Sequence, residues 1–146
     1  MYKRILVPLD GSPHSEQAFA AALNLAHMSG AEVTLLTVVL AYRDAHVANV
    51  PKLAGQTRRR AEAYLAPFVQ RGKERGCSVA ARVGHGDPAE EIVAAADDID
   101  ADVVVMSTHG IGASGRHALG SVAMKVLEKA GRPVLMVPVP HVPFHV

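Results

Sequence analysis

The stretch "DVVVMSTHGIGASGRHALGS", residues 102–121, sets an apolar run against a loop with four glycines and then the start of a helix. Ordering glycine costs more backbone entropy than ordering any other residue. Such a loop is therefore either a slack connection or a backbone that approaches something closely. The run before it is rich in β-branched residues and shows no polar alternation, as expected of a strand covered on both faces. Strands of that kind belong to parallel sheets, whose crossovers are made by helices.

Four more such runs are spaced along the chain: "RILVPL" (4–9), "EVTLLTVV" (32–39), "CSVAARV" (77–83) and "PVLMVPV" (133–139). Helical signals separate them. Phe19, Ala22, Leu23 and Ala26 recur at helical spacing, with Ser12-Pro13 as the start and Gly30 as the stop. A charged helix is predicted from about 54 to 75, closed by Gly76. Asp87-Pro88 opens a third, with Ile92, Ala95 and Ala96 as its buried stripe. A fourth follows Gly120-Ser121, with Val122, Ala123, Val126, Leu127 and Ala130 on one face. Residues 40–55 read as a long mixed connection. The expected fold is α/β: one domain, an open five-stranded parallel sheet with right-handed crossovers and helices on both faces.

Bulk properties narrow the function classes. The chain has 146 residues, 49% apolar and 20% charged, which suits one domain with a real core. Net charge is +1 and no basic stripe interleaves with aromatics, so no nucleic-acid partner is expected. Cys77 stands alone, which excludes an internal disulfide or a cysteine-based zinc site and fits a reducing compartment. The N-terminal apolar run is too short for a signal-peptide core or a membrane span, so a cytoplasmic protein without membrane insertion is expected.

In open parallel sheets ligands bind beyond the carboxyl ends of the strands. "PLDGS", the region near Val38, "GHGDP" and the glycine loop all lie there. Glycines at that edge allow backbone N–H groups to surround an anion. Gly110, Gly112 and Gly115 spell G-x-G-x-x-G, but after the fourth strand and without the acidic residue of a dinucleotide site. Gly115 to Ser121 has P-loop spacing, but Ser121 stands where the lysine is needed.

From "ILVPLDGS" through "GDPAEEIV" to "STHG…GSVAMKVLEKAGRPVLMVPV", the chain resembles the universal stress proteins, over essentially all of 1–140. The nucleotide-binding branch of that family carries G-x-x-G, nine residues, then G-[ST]; here Ser107 replaces the first glycine, while Gly110 and Gly120-Ser121 fit. The resemblance implies an adenine nucleotide alpha hydrolase-like, Rossmann-like sheet in the order 3-2-1-4-5. It further implies bound ATP, with Mg²⁺ near Asp10, and a homodimer paired through the last strand. Carried over by position, Pro8, Leu9 and Asp10 meet the nucleoside and Val38 offers backbone groups to adenine. Met106, Ser107 and Gly110 line ribose and phosphates, and Gly120, Ser121, Val122 and Ala123 hold the phosphate tail. Residues 141–146 read as a C-terminal extension.

Several residues keep two readings. Asp10 caps the first helix or ends its strand, or else meets ribose or metal; Ser121 caps its helix or meets phosphate, and Arg116 is solvated or pairs with phosphate. The "RRR" at 58–60 reads as an exposed helical face near Glu62, with contact to an unknown protein partner or to the nucleotide tail as the other reading. The eight histidines form no H-E-x-x-H motif or helical pair, so no metal site is expected. No paired carboxylates or nucleophile elbow appear, so no catalytic residue is assigned. The expectation is an ATP-binding regulatory stress-response protein with at most slow hydrolysis or self-phosphorylation. The alternative is a dimeric interaction module of the same fold that binds no nucleotide.

Overall fold

The computed structural model describes residues 2–40, 50–109 and 119–138. Along the chain the elements are β1 (Arg4–Pro8), α1 (Pro13–Ser29), β2 (Glu32–Val39), α2 (Val50–Glu74), β3 (Ser78–His85), α3 (Pro88–Asp98), β4 (Val103–Ser107), α4 (Ser121–Lys129) and β5 (Val134–Val137). The five strands form one parallel sheet in the order β3-β2-β1-β4-β5. No described helix is long and apolar enough to cross a membrane.

Because side chains alternate across a strand, each central strand feeds two cores. Ile5, Val7, Val33, Leu35, Val103 and Val105 point to one face, where Phe19, Leu23, Leu65 and Phe68 of α1 and α2 cover them. Leu6, Leu36, Val104 and Met106 point to the other, against Ile92, Ala95, Ala96, Ala123 and Val126 of α3 and α4. Burial on both faces is why β1, β2 and β4 read as nearly unbroken apolar runs.

Helix ends follow their local chemistry. The Ser12 side chain accepts from the Ser15 amide, and Asp87 accepts from Glu90, each followed by proline in the first turn. Gly30 closes α1 in the left-handed region at φ 73°, where a Cβ would be strained.

Three expectations shift. Helix α2 begins at Val50, inside the stretch read as a connection, since Pro51 in a first turn has no helical N–H to lose. It also runs through Pro67, held by the packing of Leu65 and Phe68 on either side. Leu127, placed with the apolar face of α4, is 51% exposed, because the sheet ends at β5 and offers that side of the helix no cover.

Candidate functional site

Strands β1 and β4 are neighbours, with Leu6 beside Val104. The chain leaves β1 toward α1 on one face and leaves β4 toward α4 on the other. This divergence opens a crevice at their carboxyl ends, the position where open α/β sheets bind ligands. Pro8 and Met106 lie at those ends, and Met106 is 6% exposed.

The exit from β1 is tightly wired. Leu9 is buried, its N–H donates to the Leu36 carbonyl at 2.8 Å, and its carbonyl accepts from the Thr37 hydroxyl at 2.9 Å. The exposed Asp10 carboxylate accepts from the Ser12 amide at 2.9 Å, while its own N–H donates to the Ser15 hydroxyl oxygen at 3.3 Å. Ser15 in turn donates to the Ser12 carbonyl at 2.9 Å. The cap of α1 is thus Ser12 and not Asp10, whose carboxylate instead braces the loop ahead of the helix through the Ser12 amide; Gly11 makes the bend at φ 88°.

At the end of β2, Thr37 spends its hydroxyl on Leu9, and β1–β2 pairing stops at Pro8 and Leu36. Peptide groups alternate sides along a strand. The Leu36 carbonyl faces β1 and the Val39 carbonyl faces β3, where it accepts from Gly86 at 2.9 Å. The half-buried Val38 thus turns its N–H and C=O toward the β1 side, beyond the last rung of that ladder.

After β4 the backbone folds back on itself. The Ser107 hydroxyl donates to the His109 carbonyl at 2.6 Å, and Thr108 donates its N–H to Val137 at 3.1 Å. The Gly120 N–H donates to the Thr108 carbonyl at 2.7 Å. Gly110, together with Arg116, lies outside the described residues. Helix α4 starts with Gly120 as its cap and no side-chain hydrogen bond, and its first intrahelical bond runs from Met124 to Gly120 at 3.0 Å. The amides of Ser121, Val122 and Ala123 precede that first bond. Ser121 is exposed, Val122 half-buried and Ala123 buried.

Sequence reading missed the polar braces Ser15, Thr37 and Thr108; the partners of Thr37 and Thr108 lie on other segments. Ser15 alone left a local signal, a hydroxyl three residues beyond the Ser12 cap. Among the described residues no three histidine, cysteine or acidic side chains are grouped to hold a metal ion.

Against this geometry, the sequence profile of the universal stress protein family matches residues 1–138. A universal stress protein of Thermus aquaticus, described as in the QAH/OAS sulfhydrylase 3' region, is 36% identical over 150 residues, covering 94% of this chain and 99% of its own. The solved structure of hypothetical protein MJ0577 superposes with a TM-score of 0.89 at 29% identity, over 97% of this chain and 99% of that one. A universal stress protein solved in complex with cAMP superposes with a TM-score of 0.73 at 28% identity, over 93% and 97%. With its strand order, its glycine loop after β4 and a family match over nearly its whole length, this chain belongs to the universal stress protein family.

Proposed function

We propose that this protein binds ATP at the β1–β4 crevice and acts as a dimeric regulator of stress responses in the cytoplasm, turning ATP over slowly at most. The observation that carries the reading is the α4 N-terminus. Helices α1 and α3 have side-chain caps, whereas α4 has none. Its first three amides and the positive end of its dipole suit a polyphosphate. Ser121, Val122 and Ala123 hold the phosphate tail through these amides. Gly120 contributes by lacking a side chain, since its own N–H is taken by Thr108.

The rest of the nucleotide follows the same edge. Val38 presents one donor and one acceptor beyond the β1–β2 ladder, a pair that matches the amino group and ring nitrogen on adenine's edge. Pro8 and Leu9 flank the nucleoside, and Met106, Ser107 and Gly110 lie along ribose and phosphates. Asp10, exposed at the mouth, meets ribose or a phosphate-bound Mg²⁺. The relative in complex with cAMP shows that a family member of 28% identity takes an adenine nucleotide.

Calorimetric titration with Mg·ATP tests the reading, with saturable binding expected below millimolar ligand. No heat at millimolar ATP would remove it. A second reading, an interaction module without nucleotide, is favoured by Ser107, which brings a side chain to a position where the nucleotide-binding branch has glycine. Native mass spectrometry separates the two, because the first reading expects adenine nucleotide carried through purification.

A further inference from the structure

The pairing of β1 with β2 stops half a rung before it has to. Leu9 donates its N–H to the Leu36 carbonyl at 2.8 Å, which in a parallel ladder is the first half of a rung. The second half would run from the Val38 amide, which faces β1, to the Leu9 carbonyl. That bond is not made. The Leu9 carbonyl accepts instead from the Thr37 hydroxyl at 2.9 Å, and the paired residues end at Pro8 and Leu36.

Thr37 is suited to this substitution. Its own peptide groups face β3, where it lies opposite Val83, so only its side chain addresses β1. A β-branched side chain has few rotamers, which holds the hydroxyl on one target. Leu9 is 1% exposed, so its carbonyl needs a donor from the protein. The Val38 carbonyl is released by another device. Its partner in a longer ladder would be the Gly11 amide, and at Gly11 the chain has turned at φ 88° toward α1.

We infer that Thr37 is a positioning residue, the spacer that keeps the Val38 amide open: its hydroxyl satisfies the Leu9 carbonyl in place of that amide and stops the β1–β2 ladder short. The inference rests on the proposed nucleotide site for what the amide then meets, the adenine edge. Thr37→Val keeps the shape of the side chain and removes the donor. The Leu9 carbonyl then takes the Val38 amide, the next donor in register, and the ladder lengthens. The melting temperature is expected to stay close to wild type, because one bond replaces another. Mg·ATP binding is expected to weaken roughly three- to tenfold, the range for one neutral hydrogen bond. The preference for Mg·ATP over Mg·ITP should shrink with it, since hypoxanthine reverses the donor and acceptor pattern that Val38 reads. Thr37→Ser, which retains the hydroxyl, should behave as wild type.

Amide exchange followed by NMR reads the spacer without any ligand, and calorimetric titration gives the affinities. The Val38 amide is expected to exchange fast in free wild type and Thr37→Ser, and slowly in free Thr37→Val. Fast exchange at Val38 in Thr37→Val, a melting point well below wild type, an unchanged Mg·ATP affinity, or Thr37→Ser behaving like Thr37→Val each overturns the spacer while leaving the nucleotide site standing. If wild type binds no Mg·ATP, the nucleotide reading falls, and exchange at Val38 in the free proteins still decides the spacer.

Discussion

The amide of Gly120 and the carbonyl of Thr108 meet at 2.7 Å, closing the segment between β4 and α4 at its base. A Cβ on Gly120 would lie 3.3 Å from that carbonyl oxygen and 3.6 Å from the Cα of His109. Glycine is there for space, since its φ of −71° is open to any residue. Gly120→Val is therefore expected to keep the fold while weakening ATP binding at least tenfold, as the branched side chain presses on the Thr108 carbonyl and blocks the phosphates at the α4 amides. Titration of a variant whose circular dichroism matches wild type checks this; unchanged affinity would place the phosphates elsewhere.

Arg132 is a staple between segments far apart in sequence. Its guanidinium donates to the carbonyls of Ala130, Ala96 and Ala101 at 3.2, 3.0 and 2.6 Å, and to Asp97 at 2.6 Å. Arg132→Ala would take the guanidinium donor from the carbonyl of the buried Ala101, while the Ala96 carbonyl keeps the Ala101 amide at 2.9 Å. A loss of about 2–3 kcal/mol is expected, a melting point lower by roughly 5–10 °C. Lysine should rescue little, because one ammonium cannot reproduce the planar fork. Urea melts of the three proteins decide it.

Asp102 accepts from the amides of Lys3 and Arg4 at 2.7 and 2.8 Å, and these two bonds hold its carboxyl below the usual aspartate range. A depressed folded-state pKa stabilises the fold above the unfolded-state value and loses that contribution as pH falls through the folded one. Asp102→Asn should thus be less stable than wild type at neutral pH, with the gap closing as the solution is acidified past the ordinary aspartate range. Chemical denaturation across that window measures it; a gap independent of pH would contradict the assignment.

Strand β5 is an apolar edge. The carbonyls of Pro133 and Val137 bond to β4, so the alternate residues Val134 and Met136 turn their peptide groups outward. Leu135 is 44% exposed, as are Met124 and Leu127 of α4 at 49% and 51%. An edge of this kind invites pairing with another chain. The wild-type protein is expected to sediment as a dimer at micromolar concentration and Leu135→Lys as a monomer. A wild-type monomer would contradict this.

Much of the frame was legible in the residues. Buried strands of a parallel sheet carry apolar side chains on both faces, so "ILV", "VTLLTVV" and "VVVM" announce themselves without reference to their partners. Ser12-Pro13 and Asp87-Pro88 mark helix starts because a cap acts within three residues. Candidate site positions such as Asp10, Val38 and Ser121 followed from family resemblance and from their place at the strand ends.

Tertiary structure decided what depends on meetings across the chain. The donor for the Leu9 carbonyl is 28 residues away in Thr37, and the Gly120 amide is claimed by Thr108, which no spacing rule encodes. Whether Val38 keeps its peptide groups for a ligand depends on where β1 bends away from β2. Local sequence fixes the conformations each segment prefers, through short-range sterics and capping. Which polar groups are already satisfied, and which stay open to a ligand, is settled only when distant segments are packed together.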